Sequence, residues 1–162
     1  MNETSSKTVV LGVGNLLWAD EGFGPRAVAR MMATENVPDG VEILDGGTQG
    51  LYLLPIIQAA RRLLVFDIVD FGAEPGEIMV LRDGEIPVFF GQRPLSLHQT
   101  AFTDVLAAAE LTGKMPDAVT LVGVQLGDLN AWGGDLTPQV AGAMDEAIRI
   151  GLAELAAWAA KE

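Results

Sequence analysis

The chain has 162 residues, of which 49% are hydrophobic and 20% are charged, so it has the composition of a globular protein with a buried core. Its formal net charge of −12 at pH 7 argues against binding to nucleic acid or to an anionic membrane surface, because both require basic residues. There is no cysteine, which excludes disulfides and thiolate chemistry.

Residues 1–7 are polar and lack the apolar core of a signal peptide, so we expect a flexible tail and a cytoplasmic protein. No apolar run reaches the roughly 18 residues that span a bilayer.

Strands and helices alternate along the chain. The hydrophobic pattern predicts strands over residues 8–13, 41–44, 63–69, 77–82 and 118–124. It predicts helices from residue 24 to about 37, over 51–60 with shortening at Pro55, over 98–111 and over 137–160.

This alternation predicts a single α/β domain over residues 1–162, a three-layer sandwich with helices on both faces of a mostly parallel twisted sheet of about five strands. The strand over 77–82 follows its predecessor too closely for a helical crossover, so we expect it to be antiparallel at a sheet edge. Residues 45–50 are expected to form a turn. Residues 83–97 contain two prolines and two glycines and are expected to form a long functional loop.

Three residues of metal-binding type follow predicted strands or the long loop. Glu21 follows the first strand, Asp67 closes the strand Leu-Leu-Val-Phe-Asp, and His98 is the only histidine. If the strand order includes 2-1-3, the ligand crevice lies at the carboxyl ends of strands one and three, beside Glu21 and Asp67. Carboxylates and imidazole hold divalent metals when thiolates are absent. We therefore expect the three side chains to converge.

Each of these residues also has a structural interpretation. Glu21 can be a helix-start carboxylate, which the helix dipole favours, and Asp20 fits that role better as a turn or capping residue, although spacing alone does not separate the two. Asp67 can cap a strand end, and His98 can be an ordinary first-turn residue after a Ser96 cap. A hydrolase triad of Ser96, His98 and Asp67 is disfavoured, because the serine and histidine are too close in sequence and no nucleophile-elbow motif is present.

The glycines after the first strand resemble a dinucleotide-binding fingerprint only in part. Gly12 and Gly14 fit, but Leu17 occupies the position of the third glycine. Asp20 and Glu21 would also repel a pyrophosphate at the helix start. Nucleotide binding is therefore disfavoured.

Five short motifs occur in order along the chain: LGVGNLLWADEGFG at 11–24, DGGTQG at 45–50, the aspartate at 67, SLHQ at 96–99 and LVGV at 121–124. Together they resemble the [NiFe]-hydrogenase maturation endopeptidases, from about Val9 to the C-terminal helix. The resemblance implies a cytoplasmic protease that removes a short C-terminal extension from the hydrogenase large-subunit precursor after nickel insertion.

The resemblance also implies roles for individual residues. The metal-contacting residues of the family fall on Glu21, Asp67 and His98. The loop implicated in substrate recognition falls on four consecutive residues, Asp45, Gly46, Gly47 and Thr48.

We expect the metal to be nickel carried by the precursor, although another divalent metal can bind the isolated protein. We also expect a monomer. The alternative function is a non-catalytic metallochaperone that checks nickel without cutting. One histidine and no cysteine weigh against it, since a carrier needs more ligands.

Overall fold

A mixed β-sheet forms the centre of the molecule. The computed structural model describes residues 7–92, 97–127 and 133–162, without the side chains of residues 97–101. In this part of the chain the strands are β1 (Thr8–Val13), β2 (Val41–Gly47), β3 (Arg62–Val69), β4 (Ile78–Arg82) and β5 (Ala118–Gln125). Their order is β2-β1-β3-β5-β4, with β4 antiparallel to β5 and the other pairs parallel.

Helices cover both faces of this sheet. They are α1 (Phe23–Met32), α2 (Leu54–Ala59), α3 (Glu85–Gly91), α4 (Leu97–Leu111) and α5 (Pro138–Ala159), with short 3-10 turns at Ala19–Gly22 and Gly50–Leu53. Phe23 and Met144 belong to the core under α1 and α5, whereas Ile57, Ile86 and Phe102 belong to the core under α2, α3 and α4. The predicted three-layer α/β sandwich is confirmed.

The central strands are apolar because both of their faces are covered. All residues of β1 and β3 are buried, as expected for parallel strands between two helical layers. Side chains alternate between the layers: Leu63 and Val65 pack in the core with α2 and α4, while Leu64 and Phe66 pack in the core with α1 and α5. The same alternation directs Asp67 toward the layer that contains α4.

Three sequence-based predictions about the elements were wrong. Helix α1 ends at Met32 rather than near residue 37. Strand β2 continues through residues 45–47, which were expected to form a turn. Strand β3 ends at Val69 as predicted, so Asp67 lies two residues before its end. Helix α3 lies within the range 83–97 that was predicted to be a loop. Its residues Ile86 and Phe90 are four positions apart, so both lie on the buried face of the helix. Pro87 lies in the first turn, where backbone amides have no hydrogen-bond partner within the helix, so the missing amide of proline is tolerated.

Other expectations about the elements are confirmed. Strand β4 is antiparallel at a sheet edge, and Pro55 falls in the first turn of a short α2. Lys7, the last residue of the predicted tail, accepts backbone hydrogen bonds from Arg61 and Arg62, while the rest of that tail lies outside the described residues. Within the described ranges, no helix combines the length and the apolar composition that a membrane-spanning helix requires.

Candidate functional site

The candidate residues lie at the carboxyl edge of the sheet, which is the edge where the parallel strands end. The turn Ala19–Gly22 carries Glu21 between the end of β1 and the start of α1. Asp67 lies near the end of β3, which is the neighbour of β1. The expected 2-1-3 strand order is therefore present, with Glu21 and Asp67 on adjacent strands or their extensions.

Glycines allow the turn with Glu21 to fold back against β1. Gly14 has a φ of 148°, and a Cβ there would lie 1.9 Å from the Glu21 carbonyl oxygen. That oxygen accepts a hydrogen bond of 2.9 Å from the Asn15 amide. A Cβ on Gly24 would lie 2.6 Å from the carbonyl oxygen of Phe66. These glycines thus serve close packing at the β1–α1 junction.

Asp20 and Glu21, which spacing could not separate, differ in the structure. Asp20 is fully buried, and its carboxylate accepts hydrogen bonds from the Gly127 amide at 2.8 Å and the Thr137 amide at 2.7 Å. The Thr137 hydroxyl lies 3.0 and 2.9 Å from the two carboxylate oxygens. Glu21 is half-buried, and within the described ranges its carboxylate makes no hydrogen bond or ion pair. Asp20 is therefore structural, and Glu21 is available for chemistry.

Asp67 is an interior carboxylate rather than a strand-end cap. It is 1% exposed and pairs in parallel register with Gly123 of β5. Its neighbours Phe66 and Ile68 are buried apolar residues. Burial of a carboxylate is unfavourable unless hydrogen bonds, a counter-charge or a metal offsets its desolvation.

His98 lies in the first turn of α4, so its helical placement is confirmed at the backbone level. Helix α4 ends at Leu111, shortly before β5 begins at the opposite edge of the sheet, so its first turn lies toward the carboxyl edge. Asp67 faces the same layer. The His98 side chain lies outside the described residues, so convergence of the three side chains stays a prediction. Among the side chains that are described, no group of three metal-binding residues is present.

The segment 45–48 closes β2 beside the end of β1. The Asp45 carboxylate accepts a hydrogen bond of 2.9 Å from the Gly47 amide, and the Gly47 carbonyl accepts one of 3.0 Å from Gly14. Gly47 has a φ of 51°, and a Cβ on Gly46 would lie 3.2 Å from a carbonyl oxygen of β1. Backbone conformation at Gly47 and close packing at Gly46 therefore explain why these two positions are glycine. Asp45 and Thr48 are exposed.

Large apolar side chains are exposed at the same edge. They are Leu16 and Leu17, which follow β1, and Leu51 and Tyr52, which follow β2; Tyr52 is 85% exposed. Clusters of exposed apolar residues are typical of surfaces that receive another protein chain.

A sequence profile described as HycI, hydrogenase maturation protease, matches residues 25–154. The chain belongs to the hydrogenase maturation protease family. It is 53% identical over 152 residues to the hydrogenase expression/formation protein HupD of Rhodobacter capsulatus, covering 94% of this chain and 72% of that protein. It is 42% identical over 150 residues to the hydrogenase 2 maturation protease of Escherichia coli, covering 92% and 90% of the two chains.

A solved structure supports the same assignment. The hydrogenase maturating endopeptidase HybD from E. coli matches with a TM-score of 0.85 and 40% identity, over 92% of this chain and 91% of that one. Both the family resemblance and the α/β fold predicted from the sequence are confirmed. This family member is therefore an endopeptidase, a hydrolase, which disfavours the non-catalytic metallochaperone.

Sequence reasoning missed the partners of Asp20. Thr137 lies 117 residues from Asp20, and Gly127 lies 107 residues from it. Hydrophobic periodicity and motif spacing reflect interactions between residues that are close in the sequence. Neither contact of Asp20 could therefore be predicted from them.

Proposed function

We propose that this endopeptidase removes the C-terminal extension of the nickel-loaded [NiFe]-hydrogenase large-subunit precursor. The observation that carries the proposal is the position of Glu21 and Asp67 at the carboxyl edge of neighbouring strands, in a chain of the hydrogenase maturation protease family. Ligand sites of open α/β sheets lie at this edge. We propose that the protein acts in the cytoplasm as a monomer.

In this proposal nickel arrives with the precursor as part of the substrate. Glu21, Asp67 and His98 would hold it, leaving coordination positions for the precursor's own ligands. The donor types fit a divalent cation, and the nearly complete burial of Asp67 supports the proposal because a cation would offset its desolvation. When bound, such a metal polarises a carbonyl or a water molecule.

The carboxylates also have a second use. The metal can serve recognition, with one carboxylate acting as the base for an attacking water. Glu21 is better suited to that task than Asp20, since Asp20 is committed to three donors from Gly127 and Thr137.

The four residues Asp45 to Thr48 are proposed to receive the extended chain to be cut. Residues 45–47 end β2 and Thr48 follows it; β2 is an edge strand, and backbone groups at such an edge can pair with an incoming strand. The exposed side chains of Leu17 and Tyr52 at the same edge suit a protein substrate better than a small polar one.

The decisive experiment incubates the protein with nickel-loaded and nickel-free precursor and measures the intact mass of each product. We expect loss of the C-terminal extension from the nickel-loaded precursor alone. Equal cleavage of both forms would contradict nickel dependence. Binding of the precursor without any change in mass would instead favour a metallochaperone role.

Three variants test the proposed ligands. Glu21→Gln, Asp67→Asn and His98→Ala should each lower cleavage by about 100-fold or more, because ligand loss costs at least as much as loss of a ligand's hydrogen-bonding partner. Glu35→Gln, at an exposed glutamate after α1, is the matched control and should cleave normally. Near-normal cleavage by any of the three variants would remove that residue from the site.

A further inference from the structure

The carboxylate of Asp20 joins two parts of the chain that are distant in sequence. It lies in the turn that carries Glu21, and its donors belong to the segment after β5 and to the residue before α5. We name this contact the Asp20 junction, meaning Asp20 with Gly127 and Thr137. A Cβ on Gly127 would lie 2.7 Å from the Thr137 hydroxyl and 3.0 Å from Asp20, so the junction is tightly packed.

The turn itself does not adopt a relaxed conformation. Ala19 is 3% exposed and has a φ of 31°, on the left-handed side that costs a residue with a Cβ about 1–2 kcal/mol. Such backbone persists only where surrounding contacts fix it. Besides the Asp20 junction, the Leu17 carbonyl accepts a hydrogen bond from the Gly133 amide. Gly127, Gly133 and Thr137, which follow β5 in the chain, therefore hold the turn from outside.

Thr137 supplies a second observation. It occupies the N-cap position of α5, where a threonine hydroxyl commonly accepts a hydrogen bond from the helix backbone. Here the side chain makes no capping bond and points its hydroxyl at both oxygens of Asp20. The Thr137 hydroxyl therefore makes a tertiary contact with Asp20 instead of capping its own helix.

We propose that Asp20 and Thr137 are positioning residues for Glu21. Glu21 follows Asp20 directly, so the junction that immobilises the Asp20 carboxylate also sets where the Glu21 backbone stands. Glu21 itself makes no hydrogen bond or ion pair among the described residues that would hold its carboxylate, so its position depends on the turn. The inference rests on the proposed function, since it assigns Asp20 and Thr137 to the cleavage of the precursor. A displacement of about 1 Å in a reacting group can cost about 100-fold in rate.

The test is steady-state cleavage of the nickel-loaded precursor by Thr137→Val, which keeps the side-chain shape and removes the hydroxyl. We expect kcat to fall roughly 10- to 100-fold with little change in KM, because the lost geometry matters in the transition state. Thr137→Ser keeps the hydroxyl and should restore kcat.

Thr120→Val is the matched control. The Thr120 hydroxyl donates to the Glu154 carboxylate at 2.7 Å, and Thr120 lies on β5 near the opposite edge of the sheet. Both variants lose a partly buried hydrogen bond between a hydroxyl and a carboxylate, so melting temperatures are recorded for both and kinetics are measured well below either. Only Thr137→Val should lose kcat.

Several outcomes would overturn the inference: unchanged kcat in Thr137→Val, an equal loss in Thr120→Val, or no recovery in Thr137→Ser. If the unmodified protein itself fails to cleave the precursor, the proposed function fails and this inference falls with it. The two failures are distinguishable because one appears in the unmodified protein and the other only in the variants.

Discussion

At the scale of single residues, environment separates carboxylates that are adjacent in the chain. Asp20 is fully buried among amide and hydroxyl donors, while Glu21 is half-buried. Asp67 is buried within an apolar strand, and the same residue type at Asp70 is exposed one residue after that strand ends. The type of residue alone therefore does not decide which carboxylate is structural.

The first prediction compares amide substitutions at Asp20 and Glu21. Asp20→Asn should lower the free energy of unfolding by about 1–3 kcal/mol. One carboxylate oxygen that accepts a hydrogen bond from a backbone amide would be replaced by an amide nitrogen, which is itself a donor. Glu21→Gln should change it by less than about 0.5 kcal/mol. Urea denaturation of both variants checks this. Equal losses would show that Glu21 also has a structural role.

The second prediction separates backbone and substrate roles within residues 45–48. Gly47→Ala should lower the free energy of unfolding by about 1–2 kcal/mol, because Gly47 has a left-handed backbone, although its Cβ would make only an ordinary contact of 3.9 Å with the Asp45 carboxylate. Thr48→Ala should leave stability unchanged and raise KM for the precursor. Thermal unfolding beside the cleavage assay gives both values, and an unchanged KM would argue against Thr48 as a substrate contact.

At the scale of elements, the β1–α1 junction determines where Glu21 stands. The backbone of Gly24 lies so close to β1 and β3 that a Cβ would be 2.2 Å from the Val13 carbonyl oxygen. The glycine at 14 allows an equally close approach to the turn. Close packing of backbone against backbone thus fixes the exit of β1, and the strand pairing of β1 with β3 brings Asp67 to the same edge.

The third prediction tests this packing with alanine at two glycines. Gly24→Ala should lower the free energy of unfolding by about 3 kcal/mol, the upper end of the usual range for overpacking, since backbone atoms must move to admit the methyl group. Gly142→Ala, on an exposed face of α5 with nothing near its Cβ position, should raise it by about 0.5–1 kcal/mol. Denaturant unfolding measures both changes. A loss of less than about 1 kcal/mol in Gly24→Ala would mean that the backbone at the β1–α1 junction moves readily to admit a methyl group.

At the scale of the whole molecule, α5 is tied to the sheet at both ends and along its length. Thr137, just before it, meets Asp20, and the Trp158 carbonyl near its end accepts a hydrogen bond of 2.7 Å from the buried Arg62. Between them, Glu154 accepts hydrogen bonds from the Arg82 guanidinium of β4 and the Thr120 hydroxyl of β5. The helix therefore links the carboxyl edge, which carries the candidate site, to the opposite edge.

The fourth prediction concerns the pH dependence of the tie at Glu154. The hydrogen bond from Arg82 lowers the pKa of Glu154, and the Thr120 hydroxyl acts in the same direction against desolvation. Because the folded pKa is lowered, this stabilisation is complete above the ordinary glutamate pKa of about 4.3 and disappears as the pH falls through the lowered value. Unfolding of the unmodified protein and of Glu154→Gln from pH 7 to pH 3 should show a stability difference that shrinks in that acidic window. A stability difference that stays constant with pH would contradict a stabilising interaction between the ionised Glu154 carboxylate and Arg82.

The sequence alone predicts the α/β class, the family, the order of the strands and of every helix except α3, and the placement of Glu21 and Asp67 after or near the ends of β1 and β3. These follow from local periodicity and from short motifs, which are properties of neighbouring residues. The tertiary structure was needed to separate Asp20 from Glu21, since the donors to Asp20 come from more than 100 residues away. It likewise decided that α3 forms within residues 83–97 and that Gly14 and Gly24 serve packing. Burial against distant parts of the chain sets these outcomes, and a local pattern does not contain it.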